Sequence, residues 1–218
     1  MTPELEGVAS AAEKVEKEKT FRFALTIGQP DPVAGEGAID LARQRVLLRM
    51  ELDESRADNA SGTFEVVIAD QVVYVKNPEF PTVGGKDWIR MEGPPGPSAF
   101  PDPTSALDVL DAGGDFEEIG QEDVRGVQTT RYRGTITKGS APAPDGSRVE
   151  AWLDAGGYPR RLTFGDGQHT SIDFYDFGAD VNIAAPPRER VVDLAELGRE
   201  GDGLGVELPQ SMKQGGSE

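Results

Sequence analysis

The sequence contains no cysteine. Disulfides, thiolate metal sites and thiol nucleophiles are therefore excluded, while either side of a membrane stays compatible as a redox compartment. There is a single histidine, His169, so a zinc site built on two or three histidines is ruled out. No apolar run approaches the ~20 residues that a membrane-crossing helix needs, and no signal peptide is visible. Basic residues are scarce: 22 Lys and Arg face 39 Asp and Glu, a formal net charge of −17. No Lys/Arg stripe is present, which argues against nucleic acid as a partner and against direct docking to anionic lipid headgroups. The acidity reads as a means of staying in solution.

What is present is a β-rich pattern punctuated by turns. The 218 residues include 27 glycines and 16 prolines, enough chain for one large domain and many breaks in it. Residues 3–19 predict a helix, with Leu5, Val8, Ala12 and Val15 at helical spacing on one face. From Phe21 the period drops to two: Phe21, Phe23, Leu25 and Ile27 alternate with polar or small residues. Strands follow at 38–41 and 45–52, with Leu47 breaking the alternation of Val46, Leu48 and Met50. A hairpin is predicted over 63–76, turning near Asp70-Gln71, then a short strand over 86–92 carrying Trp88. The proline-rich stretch 93–103 is unsuited to a central strand. A second short helix presents Ala106, Leu107 and Leu110. Strands are predicted over 116–119, 127–136, 148–154, 159–164 and 170–177, and a last short helix over 191–197.

The expected architecture is α+β: a strongly curved antiparallel sheet, a half-barrel of about nine to eleven strands. Two or three helices bury their apolar stripes against its concave face. A single domain spans 1–197, and 198–218 reads as a polar tail.

Candidates for chemistry are few. His169 sits in Gly165-Asp166-Gly167-Gln168-His169, which reads as a hairpin turn rather than as part of a triad. Asp173, Asp176 and Asp180 lack calcium-loop spacing and read as solvated charges. Gly201-Asp202-Gly203-Leu204-Gly205 follows no strand and opens no helix, so it is not a phosphate loop. Asn59-Ala60-Ser61 matches a glycosylation triplet of a kind that arises often by chance. No catalytic residue, metal site or cofactor is assigned, and a non-enzymatic protein is expected. The large aromatics on strands serve equally as solid core or as the wall of an apolar cavity.

A succession of motifs carries a family resemblance. Asp115-Phe116-Glu117-Glu118-Ile119-Gly120 leads through Glu122-Asp123-Val124-Arg125-Gly126-Val127 to Thr130-Arg131-Tyr132-Arg133-Gly134. Val149-Glu150-Ala151-Trp152-Leu153-Asp154, Gly157-Tyr158-Pro159-Arg160-Arg161-Leu162 and Asp173-Phe174-Tyr175-Asp176-Phe177-Gly178 follow. This order resembles the actinobacterial lipoproteins of the LppX/LprG type, in the LolA-like lipoprotein-carrier superfamily. The motifs mark turns and strand pairings rather than a reactive site. The resemblance implies a half-barrel whose space between sheet and helices holds acyl chains. It also implies a location outside the cytoplasmic membrane, tethered through a lipidated N-terminal cysteine. The sequence has no such cysteine, so under this resemblance signal and lipidation site have been removed.

The expected function is a monomeric cell-envelope carrier of a lipid, glycolipid or lipoprotein, served by an envelope transporter or acceptor protein. The expected lining is Phe21, Phe23, Leu25, Val46, Leu48, Met50, Phe64, Val66, Ile68 and Trp88, with Leu107 and Leu110 from the covering helix. A one-residue slip in register would invert this face. The alternative is an extracytoplasmic sensor or regulatory interaction domain on the same scaffold, without bound lipid.

Overall fold

The computed structural model describes residues 3–28, 32–52, 62–78, 82, 84–92, 106–107, 110, 116–136, 146–165 and 170–194. The chain opens with α1 (Pro3–Glu18) and six strands: β1 (Thr20–Ile27), β2 (Val33–Asp40), β3 (Arg45–Leu52), β4 (Gly62–Ala69), β5 (Val72–Lys76) and β6 (Trp88–Glu92). Six more follow: β7 (Glu117–Val124), β8 (Val127–Thr135), β9 (Arg148–Asp154), β10 (Pro159–Phe164), β11 (Thr170–Tyr175) and β12 (Val191–Asp193). All twelve strands join one open sheet in the order β12-β6-β5-β4-β3-β2-β1-β11-β10-β9-β8-β7. The sheet curves. Val75 of β5 and Leu153 of β9 lie far apart in strand order, yet both belong to one inner core cluster. Among the described residues no helix is long and apolar enough to cross a membrane.

Tight turns explain much of the local path. Asp70 and Gln71 both have positive φ, at 54° and 63°, the geometry of the two-residue turn whose twist suits a hairpin. Arg125 and Gly126 repeat it between β7 and β8. In the β9–β10 turn the Asp154 carboxylate accepts hydrogen bonds from the backbone N–H of Gly156 and of Tyr158, each at 2.9 Å.

Several elements differ from those expected. The sheet is mixed rather than purely antiparallel, because β12 runs parallel to β6. Residues 191–193, expected to begin a helix, form β12 after a 3-10 turn at Arg188–Arg190; Leu194 is helical, and 195–197 of that predicted helix lie outside the described residues. Val192 fills the apolar cluster beside Ile89, and the free edge of β6 supplies hydrogen-bond partners, so tertiary context overrides helical spacing. The described residues contain one α-helix, α1, instead of two or three. Of the second predicted helix, Ala106, Leu107 and Leu110 are helical and buried in the inner cluster.

β2 starts five residues earlier than its apolar residues suggest, because Gly35 and Gly37 extend it. Register places Gly37 between Phe23 and Leu48, and Gly35 between Leu25 and Met50. A Cβ on Gly37 would lie 2.5 Å from Phe23 Cζ and would run into the Leu47 carbonyl; one on Gly35 would lie 2.5 Å from Met50 Cγ. The glycines leave the inner face open for their neighbours' side chains to fold across β2. β7 extends to Val124 through an acidic run that lacks apolar alternation, since it is a sheet edge with one neighbour. A register shift between Glu118 and Gly120 and exposed carboxylates suit an edge that avoids pairing with other chains.

The outer face is dry in one half and charged in the other. Residues 179–187 cross it as a strap. Val181 and Ile183 bury against Ala38, Val67, Ala69 and Trp88. Thr20 Oγ1 donates to the Ala179 carbonyl at 2.7 Å and Arg45 Nη1 to the Ile183 carbonyl at 2.9 Å. This explains Leu47, which breaks the alternation because both faces of β3 are covered at that point. Near the strap's end Arg190 grips Asp87 with two hydrogen bonds. The other half carries ion pairs around Trp152. Its indole N–H donates to Glu122 at 3.0 Å, and the Arg131 guanidinium lies 4.9 Å from the ring. Arg131 and Arg133 both donate to Glu150, and Arg161 pairs bidentately with Asp173 at 2.6 and 2.8 Å. Asp173, expected to be a solvated charge, is thus buried and paired, because the sheet sets Arg161 directly opposite.

Burial pushes the Glu150 carboxyl upward, but the hydrogen bonds and charges of Arg131 and Arg133 outweigh it and hold the group below its ordinary value. Burial likewise opposes, and Arg43 overcomes it, at Asp40, whose carboxylate accepts from the Arg43 backbone N–H at 2.9 Å. A carboxyl depressed in the folded state stabilises the fold above its unfolded value of about 4. That contribution disappears as pH falls through the lower folded value. Acid titration is expected to lower unfolding free energy below about pH 4. Glu150→Gln should flatten that slope when urea melts are compared across pH. Gly37→Ala should lower stability by about 1–3 kcal/mol through overpacking, read as a reduced urea midpoint at unchanged m-value.

Candidate ligand-binding face

The register builds the inner face in three rows. One runs Phe174, Phe23, Gly37, Leu48, Val66, Val75 across β11, β1, β2, β3, β4 and β5. A second runs Ile172, Leu25, Gly35, Met50, Phe64. A third runs Phe21, Ile39, Val46, Ile68, Val73, Met91. Period-two alternation puts these side chains on the same face of the pleat. Every residue in the three rows besides the glycines is apolar, and on the β8 side of the sheet Tyr132 adds a phenol to the inner cluster.

Eleven of the twelve side chains expected to line the site sit in this inner cluster: Phe21, Phe23, Leu25, Leu48, Val66, Leu107 and Leu110 are buried, and Val46, Met50, Phe64 and Ile68 are half-buried. Trp88 is not brought together with them. Register aligns Ile89 with Val75 of the inner face, so Trp88 points the other way and packs under the strap. The expected lining left out the part of the face contributed by β9, β10 and β11, where Leu153, Leu162, Phe164, Ile172 and Phe174 are buried; Phe164 and Phe174 entered only among the strand aromatics that serve as core or as cavity wall. Their alternation was the available signal.

Helix α1 packs on β1 and β9, with Val8, Ala11, Ala12 and Val15 buried in the inner cluster. Lys14 Nζ donates to the Gly156 carbonyl at 2.6 Å, and the Tyr158 hydroxyl donates to Glu18 at 2.6 Å. That hydrogen bond, and then burial, pushes the Tyr158 phenol above its ordinary value. Tyr158 lies 5.1 Å from Phe177, which lies 6.2 Å from Phe21. An aromatic path therefore runs from the clamp into the core.

What the face can do chemically is limited by what it contains. Among the described residues no group of three or more His, Asp or Glu is arranged to hold a metal ion. His169 and the glycine-rich run from Gly201 lie outside the described residues. An apolar surface with half-buried Val46, Met50, Phe64 and Ile68 suits a ligand recognised by its hydrocarbon.

No family model matches the chain. An uncharacterized 31.2 kDa protein from the rplA–rplJ intergenic region of Streptomyces griseus is 27% identical over 157 residues, covering 54% of this chain and 52% of that protein. The chain thus spans about half the length of the curated relative it matches. Among solved structures, LprF from Mycobacterium bovis aligns with a TM-score of 0.60 at 13% identity, covering 85% of this chain and 98% of LprF. The Mycobacterium tuberculosis lipoprotein LppX aligns with a TM-score of 0.58 at 13% identity, covering 84% of this chain and 100% of LppX. A curved open sheet with one apolar inner face, matched over nearly the whole of both solved chains, gives this protein the fold of the LppX- and LprF-type mycobacterial lipoproteins.

Proposed function

We propose that the protein is a non-enzymatic carrier of the cell envelope that holds acyl chains of a lipid, glycolipid or lipoprotein against the inner face of its sheet. The observation that carries this reading is the apolar inner face left half-buried at Val46, Met50, Phe64 and Ile68. A solid core has no reason to leave such side chains partly uncovered in the middle of a sheet. Burying one acyl chain of sixteen carbons would contribute on the order of 12 kcal/mol before ordering costs, at about 0.8 kcal/mol per methylene. No polar or catalytic group is required for that.

On this reading α1 and the helical residues around Leu107 cover the ligand from the concave side, residues 1–197 act as a single domain, and 198–218 form a tail. The protein works as a monomer on the outer face of the cytoplasmic membrane, exchanging its ligand with an envelope transporter or acceptor protein. The fold shared with two mycobacterial lipoproteins supports the location.

Native mass spectrometry of the purified protein, followed by organic extraction, tests the reading. Stoichiometric lipid is the expected result and would name the ligand class. A mass without lipid that persists after incubation with envelope lipids would favour a sensor domain with a solid core. Val66→Trp places a large ring in the centre of the inner face. It should lower lipid occupancy several-fold while circular dichroism stays unchanged. Full occupancy in that variant would remove Val66 from the binding face.

A further inference from the structure

The inner face is filled unevenly by its own side chains. Towards α1, which packs on β1 and β9, it is closed. Phe21, Phe23, Leu162, Ile172 and Phe174 are 0% exposed, and they share one cluster with Val8, Ala11, Ala12 and Val15 of the helix. Even the places that glycine leaves without a Cβ are taken. The Phe23 ring folds over Gly37 and the Met50 side chain over Gly35, and a Cβ on Gly134 would lie 2.8 Å from Phe116 Cδ1. Side chains packed in this way stand at the density of a protein interior. Further hydrocarbon enters such a region only by forcing them out of their preferred conformations.

Over β3 and β4 the face is different. Register sets Val46 opposite Ile68 and Met50 opposite Phe64, and all four are half-buried. The two pairs stand four residues apart on each strand, about 13 Å at the rise of an extended chain, and neighbouring strands lie about 4.8 Å apart. Leu48 and Val66 lie between the pairs and are buried, so the strip is narrowest at its middle. Among the described residues the other half-buried members of the cluster, Ile27, Leu41, Met91, Tyr132 and Phe177, sit singly on separate segments. The uncovered apolar surface is therefore a strip one strand pair wide, the footprint of one extended hydrocarbon chain. Two chains side by side would need a second uncovered strand pair.

We propose that the ligand is single-chained: one unbranched acyl chain, of a fatty acid or a lysolipid, lies along β3 and β4 between the Val46–Ile68 and Met50–Phe64 pairs, and lipids with two or three chains are rejected. This rests on the carrier reading above and narrows it to one ligand class. The selection is steric. The first chain covers side chains that are already half uncovered, whereas a second has to displace Phe21, Phe23 or Phe174 from the packed part of the face.

The test uses the full chain, stripped of co-purified lipid on a hydrophobic resin, with three probes: palmitate, palmitoyl-lysophosphatidylglycerol and dipalmitoylphosphatidylglycerol. Native mass spectrometry should show one equivalent of palmitate, of the lysolipid, or of either in turn. Which of the two is taken tells whether the site accepts a headgroup beyond the carboxylate. The two-chain lipid should bind at least about ten-fold more weakly than the better single-chain probe. Two palmitate molecules held together, or a two-chain lipid bound as tightly as the single-chain probes, would overturn the one-chain limit and leave the carrier reading standing. Uptake of none of the three would overturn the carrier reading and the limit with it. The placement is read on the unsubstituted chain, so that no variant has to fold, using palmitate that carries a diazirine. Photocrosslinks should fall within residues 46–50 and 64–68. Labelling that leaves both segments unmodified would overturn the placement along β3 and β4.

Discussion

A sheet of twelve strands that does not close on itself has two large faces, and water tolerates only one of them being apolar. The molecule resolves this by curling the sheet so that its apolar face turns inward. Phe21, Phe23 and Phe174 fill the middle of the inner cluster, and Gly35 and Gly37 let neighbouring side chains cross β2 where a Cβ would meet them. Burial of that face is the driving term.

The outer face shows the same constraint from the other side. Where the strap covers it, Leu47, Val67 and Trp88 pack as a second small core. Where water reaches it, carboxylates and guanidinium groups are matched strand by strand, as in Glu150 with Arg131 and Arg133, or Asp173 with Arg161. Register sets Arg133 opposite Glu150 and Arg161 opposite Asp173, while Arg131, opposite Trp152, reaches Glu150 diagonally. A chain of net charge −17 gains from placing its arginines where carboxylates converge, since unmatched carboxylates would repel one another across the face.

On the proposed carrier reading, function lies in shape and apolar area. The three rows from β11 to β6 hold only apolar side chains and glycine, and their half-buried members are hydrocarbon and thioether. On that reading a ligand would be selected by what it lacks, namely polar groups that would be stranded without partners. Helix α1 packs Val8, Ala11, Ala12 and Val15 into the same inner cluster.

By itself, the sequence determined the elements and most of the face. The alternation of Phe21, Phe23 and Leu25, of Val46, Leu48 and Met50, and of Phe64, Val66 and Ile68 marked which side chains point the same way, because a strand repeats every second residue. The motif order also led to a half-barrel of the LppX type. Tertiary structure alone decided the rest. Trp88 and Val66 sit on equally β-like segments, yet only strand pairing shows that they face opposite ways. Residues 191–193 have helical spacing and became a strand because the edge of β6 was free to pair. Gly35 and Gly37 lie ahead of the strand expected at 38–41 and belong to β2, where Phe23 and Met50 fill the space a Cβ would take. Periodicity is local and survives in a single sequence, whereas register, edge pairing and the covering of a face depend on residues a hundred positions away.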